Sequence, residues 1–133
     1  MPGRFLDSNV ILYLLDDGPK RDRAEAVLAE GGTVSVQVLN EVLVNCRRKA
    51  GMDWDEAGAF LADVRRLVRV VDLTVEMHDV ARAVGARYKL QVYDAMILAA
   101  ALVTGCDECL SEDMQDGLVV EETLRVRDPF ADG

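Results

Sequence analysis

Four carboxylates in this sequence resist the ordinary explanation for acidic residues. Asp7 follows the apolar pair Phe5-Leu6, and Glu41 sits in a run otherwise rich in Val and Leu. Asp94 opens the most apolar stretch of the chain, and Asp113 stands in Ser111-Glu112-Asp113-Met114-Gln115-Asp116-Gly117. Glu25, Asp55, Glu56 and Asp63, by contrast, fall on helix faces that water can solvate. Any one of the four could be a helix cap or dipole partner, worth ~0.3–1 kcal/mol. A set of four gathered in one dry crevice needs more, because buried like charges repel and each costs several kcal/mol. No Lys or Arg stands beside Asp7, Glu41 or Asp94 to compensate. Hard divalent cations with oxygen ligands, Mg²⁺ or Mn²⁺, answer that need. Acids holding such ions are suited to phosphodiester hydrolysis. One ion lowers the pKa of water, and a second ~4 Å away stabilises the leaving oxygen. The one histidine, His78, lies far from these acids in sequence and is poorly placed as a general base.

The elements that must position these acids alternate between strand and helix. Strands are expected at Arg4–Asp7, Thr33–Val36, Val68–Leu73, Glu108–Ser111 and Leu124–Arg127. Leu39, Val42, Leu43 and Cys46 recur at helical spacing, as do Ala57, Phe60, Leu61, Val64 and Leu67, and then Met77, Val80, Ala81 and Val84. Asp53 and Thr74 are expected N-caps, and Gly31-Gly32, Gly51 and Gly105 are expected stops. Ala95 to Val103 is apolar throughout, the mark of a buried helix. Alternation of this kind means a parallel sheet covered on both faces, joined by right-handed crossovers. Ligands bind such sheets beyond the carboxyl ends of the strands. Each of the four acids belongs at a strand's carboxyl end or at the start of the following helix, so all four converge on one edge.

The chain of 133 residues suits one α/β domain over 1–133. Its net charge of −9 argues against holding nucleic acid mainly through basic residues, and it suits bound cations or a basic partner. No signal segment is visible and the longest apolar run is too short to span a bilayer, so a cytoplasmic location away from membranes is expected. Cys46, Cys106 and Cys109 are odd in number, which disfavours a disulfide framework; they are read as buried thiols rather than half of a zinc site.

The segments Phe5-Leu6-Asp7-Ser8-Asn9, Leu39-Asn40-Glu41, Tyr93-Asp94-Ala95 and Leu110-Ser111-Glu112-Asp113 resemble, in order, the four acidic motifs of PIN-domain nucleases. The nearest likeness is to the small VapC-like ribonuclease toxins of bacterial type II toxin–antitoxin systems, and it runs through essentially the whole chain. The resemblance implies a three-layer α/β/α sandwich with a parallel sheet of about five strands. It implies Mg²⁺ or Mn²⁺ held by Asp7, Asp94 and Asp113, with Glu41 as ligand or water-positioner and Asp116 as a further, less regular acidic position. Ser8, Asn9 and Ser111 match polar positions that support the acids through hydrogen bonds. An RNA substrate, a homodimer and a cognate antitoxin that blocks the site are also implied.

Other readings compete. A PIN-type nuclease could process RNA without an antitoxin. A phosphoacceptor receiver domain shares length, architecture and an acidic pocket; it needs an acid pair after strand one, an acceptor after strand three and a late Lys. Here strand one ends in a single Asp7, strand three offers Asp72, and no Lys follows Lys89. Arg47, Arg48, Lys49, Arg82, Arg87 and Lys89 are candidates for phosphate contact but read better as solvated helix residues. Trp54 and Tyr93 could stack on bases, with packing the plainer expectation.

Overall fold

The structure is a computed structural model that describes residues 3–131. The central strand is β1 (Arg4–Leu6), flanked by β2 (Thr33–Ser35) and β4 (Glu108–Leu110). β3 (Arg69–Val71) borders β2 on one side, while β6 (Leu124–Arg127) and β5 (Val119–Val120) extend the sheet past β4. The order is β3-β2-β1-β4-β6-β5, and every pair is parallel except β5 with β6. The sheet thus has six strands rather than about five. The added strand has two residues and pairs as a hairpin.

The chain first steps outward from β1 to β2 to β3, then returns to place β4 on β1's other side. Strand order therefore reverses between β1 and β4, and a crevice opens there beyond their carboxyl ends. Asp7 and Ser111 are the first residues past those two strands. β3 is an edge strand, so Asp72 lies away from that crevice and no receiver-type acceptor stands in it.

Helices cover both faces. Right-handed crossovers put α1 (Ser8–Leu12), α2 (Pro19–Ala29), α3 (Val36–Arg48) and α4 (Trp54–Arg65) on one face. They put α5 (Val75–Tyr88) and α6 (Val92–Val103) on the other. Packing follows this division: α1 contacts α2 and α3, α3 contacts α4, and α5 lies along α6. A short 3₁₀ turn, Tyr13–Leu15, follows α1. Phe5, Leu6, Val34, Cys109 and Val126 fill the sheet's interior, with Val10, Ile11, Val38, Val42, Ile97 and Leu98 above and below.

The expected caps are present. Asp53 accepts from the Glu56 N–H at 2.8 Å while Glu56 accepts from the Asp53 N–H at 3.0 Å, a reciprocal capping box. Thr74 Oγ1 accepts from the Met77 N–H. All three cysteines are free and buried. The α6 helix is buried along Ile97–Ala101, yet its first turn emerges: Val92 and Tyr93 are 72% and 69% exposed. Among the described residues no helix is long and apolar enough to cross a membrane.

Candidate active site

Asp7 sits where β1 ends and α1 begins. As N-cap of α1 it accepts the Ser8 N–H at 2.7 Å through Oδ1. Its Oδ2 accepts from the Ser111 hydroxyl at 2.7 Å and from Asn9 Nδ2 at 3.3 Å. The side chain is 4% exposed, and burial pushes its carboxyl up to about 6 against the opposing pull of Ser111 and Ser8. Glu41 and Asp94 add to the rise through their own charges.

Asn9 joins the two strand ends. Its Nδ2 lies 3.3 Å from Ser111 Oγ and 3.2 Å from Asp113 Oδ2, and its Oδ1 accepts the Glu112 N–H at 3.1 Å. Ser111, fully buried, accepts the Asp113 N–H at 3.1 Å while donating to Asp7. The loop after β4 is therefore bolted to the loop after β1, and Asp113 is held at the mouth of the crevice. Ser8, Asn9 and Ser111 each make a hydrogen bond to Asp7, and Asn9 and Ser111 also bond to Asp113.

Glu41 comes from the second turn of α3 and Asp94 from the first turn of α6. Both carboxyls are pushed up, chiefly by burial. Glu41 feels Asp94 and Asp113 besides, with a hydrogen bond from Gln37 opposing, and Asp94 feels Asp113. These mutual effects link Asp7, Glu41, Asp94 and Asp113 into one electrostatic cluster drawn from four segments. No Lys or Arg is among the groups that shift Asp7, Glu41 or Asp94.

The other acids of the last loop have partners of their own. Glu112 accepts from the Tyr13 hydroxyl and from Lys20 Nζ. Burial would raise its carboxyl, but those two bonds outweigh it and the net effect is a lowering. Asp116 Oδ1 accepts the Asp128 N–H at 3.0 Å, which ties its loop to the segment after β6.

Two open cavities flank the acids. One, about 420 Å³, holds Asn9, Asp113, Asn45 and Lys49; the other, about 620 Å³, holds Glu41, Asn40, Asn45 and Tyr93. Asn45 borders both. Lys49 and Asp113 line the same cavity. Arg47 is engaged otherwise, donating to the Met52 carbonyl and stacking 4.8 Å from the Trp54 ring centroid. Trp54 and Tyr93 are both exposed rather than packed.

Sequence reasoning overlooked Gln37. It is 7% exposed, and its Nε2 donates to Glu41 Oε1 at 3.1 Å and to the Tyr93 carbonyl at 3.2 Å. Its signal was a polar residue four before Glu41, on a helix start made of Val and Leu. Ser35, the last residue of β2, was also passed over; its hydroxyl is buried at the same sheet edge without a hydrogen-bond partner.

The donor set is all oxygen, drawn together, and short of positive charge, which fits a hard divalent ion. Among the described residues, no group of three or more Asp, Glu, His or Cys side chains is arranged to hold an ion as it stands. Asp7 has both oxygens engaged by Ser8, Ser111 and Asn9, and Glu41 has one engaged by Gln37.

Residues 4–115 match the family model described as PIN domain. No curated protein matches the chain. Among solved structures, a toxin–antitoxin complex from Klebsiella pneumoniae is similar, with a TM-score of 0.74 at 18% identity over 96% of this chain and 98% of that one. The DNA-bound VapBC of Salmonella typhimurium gives 0.72 at 18% identity, covering 97% and 99%. VapC20 of Mycobacterium tuberculosis, a sarcin–ricin-loop-cleaving toxin, gives 0.65 at 21% identity, covering 80% and 86%. At these identities the likeness is one of fold.

Proposed function

The chain belongs to the PIN-domain family, and from that premise we propose that it is a divalent-metal-dependent endoribonuclease, the toxin of a toxin–antitoxin pair. The observation that carries this reading is the cluster of Asp7, Glu41, Asp94 and Asp113. Four segments deliver carboxylates to one crevice, and three of those carboxylates are held above their ordinary proton affinity with no basic residue to relieve them.

Asp7, Asp94 and Asp113 are the proposed ligands of Mg²⁺ or Mn²⁺, with Glu41 as ligand or water-positioner. Asp116 stays a further candidate one loop turn away. A bound ion would lower the pKa of water and offset charge on the phosphate. The chain's own part is to hold, orient and discharge. Asp7 is fixed by Ser8 and Ser111, Asp113 by Asn9 and the Ser111 hydroxyl. Glu41, coupled by charge to Asp94 and Asp113, would position an attacking water or accept its proton. Lys49 lines the cavity that holds Asp113 and would meet a flanking phosphate.

The partners follow the same reading. The similar solved structures include toxin–antitoxin complexes, and a chain of net charge −9 favours a basic antitoxin segment. Exposed Val44, Leu73, Val92 and Tyr93 line one cavity with Glu41 and support a homodimer. The proposed place of work is the cytoplasm.

Expression in a bacterial host tests the reading. The wild type should arrest growth and generate new RNA ends, and Asp94→Asn should do neither while accumulating as folded protein. Growth arrest by Asp94→Asn equal to the wild type would sink it.

A further inference from the structure

Glu41 and Asp94 repel one another, and neither bonds to the other directly. They stand on helices that cover opposite faces of the sheet. Something other than the acids must set their spacing. The Gln37 side chain spans that gap. It lies one helical turn before Glu41, on the same face of α3. Both of its amide hydrogens are used: one goes to Glu41 Oε1 at 3.1 Å, the other to the Tyr93 carbonyl at 3.2 Å. Both partners only accept, so the amide can sit here in one orientation alone. The Tyr93 carbonyl belongs to the peptide that leads directly into Asp94. Holding that carbonyl fixes the backbone from which the Asp94 side chain departs.

We propose that Gln37 is a positioning residue, whose single amide sets the distance between the Glu41 carboxylate and the α6 turn bearing Asp94. This rests on the metal-dependent reading above and deepens it. The residue type matters. A Lys here would neutralise Glu41 and compete with an incoming cation, and a Val or Leu would take away the donor that ties the Glu41 carboxylate to the start of α6. A neutral double donor orients the carboxylate and leaves the site its negative charge. Gln37 is itself buried, on a helix start whose neighbouring residues are Val36, Val38 and Leu39, a position that a polar side chain holds only if its hydrogen bonds are made.

The test is Mn²⁺ binding to the full chain without RNA, read from the free-ion signal in electron paramagnetic resonance, for wild type and Gln37→Met. Methionine keeps length and helix preference but donates nothing. Gln37→Met should bind Mn²⁺ about tenfold more weakly, the usual scale for an outer residue that orients a ligand. Its Tm should stay within about 4 °C of wild type, and excess Mn²⁺ should restore most of kcat with KM for RNA unchanged. Equal Mn²⁺ affinity in the two proteins overturns the proposal. If Gln37→Met does not fold, nuclear magnetic resonance on the wild type decides. The Gln37 side-chain amide hydrogens should exchange slowly and shift on adding Mg²⁺; fast exchange with no shift overturns it. A wild type that binds Mn²⁺ but cuts no RNA refutes the ribonuclease reading and leaves the Gln37 comparison standing. A wild type that binds no divalent ion refutes both.

Discussion

Asp7 shows how one residue is made unstable so that a site can exist. Its carboxyl titrates at about 6 in the folded chain against an ordinary 3.8, because burial and two neighbouring acids disfavour the charge. Between those two values the folded state holds the proton more tightly than the unfolded chain. Stability of the metal-free protein therefore falls as pH rises from about 4 to above 6. Asp7→Asn removes that burden. Thermal denaturation in EDTA should find the variant more stable than wild type at pH 7.5, by on the order of 3 kcal/mol, with the gain vanishing near pH 4. A variant less stable than wild type at pH 7.5 would mean that burial does not strain Asp7. Metal affinity should run the opposite way to stability, strengthening as pH climbs through about 6, since a ligand must first lose its proton. At this scale much was legible. An acid after an apolar strand, another inside a Val- and Leu-rich helix and a third opening an apolar one could each be picked out by misfit alone. Gln37 escaped because a single amide in a helix carries no charge and breaks no pattern; only its two partners give it away.

At the scale of elements, hydrophobic period and caps located five strands and the helices between them. Helix ends were the most readable, because Asp53 and Thr74 act through bonds to residues only three positions on. The β5–β6 hairpin was missed for a physical reason. Its turn contains Glu121 and Glu122 at φ of 51° and 64°, conformations that side chains disfavour and that usually advertise themselves as Asn or Gly. Glu121 is held there in part by Arg87, whose guanidinium pairs with its carboxylate, and by its N–H donating to the Tyr88 hydroxyl. Glu122 is exposed and makes no such bond among the described residues. Glu122→Gly should relieve the backbone there and raise stability by roughly 0.5–1 kcal/mol, read from urea denaturation. A loss of stability would show that the turn is not strained. The buried reading of Ala95 to Val103 holds at Ala95 and from Ile97 through Ala101, and the last two residues are half-buried. Val92 and Tyr93 surface where the helix passes the acids.

For the whole molecule, strand order is what turns scattered residues into a site. Because the chain returns to β1's free side to lay down β4, the ends of β1 and β4 face one crevice, and Asn9 and Ser111 bridge positions about a hundred residues apart. No local pattern encodes that return. It was legible only through the general rule for alternating strands and helices, and through the likeness of four short motifs to a known family. The net charge of −9 has a local counterpart in this crevice, and a divalent ion relieves both. The most direct measurement is cleavage of total bacterial RNA by the purified chain, with ends mapped, for wild type and Asp94→Asn, each in Mn²⁺ and in EDTA. Wild type should cut at discrete sites in Mn²⁺ and stop in EDTA, while Asp94→Asn, folded by circular dichroism, should lose activity by at least about 100-fold. Undiminished cutting by wild type in EDTA, or by Asp94→Asn in Mn²⁺, would contradict the assignment of these carboxylates to a metal-dependent nuclease centre.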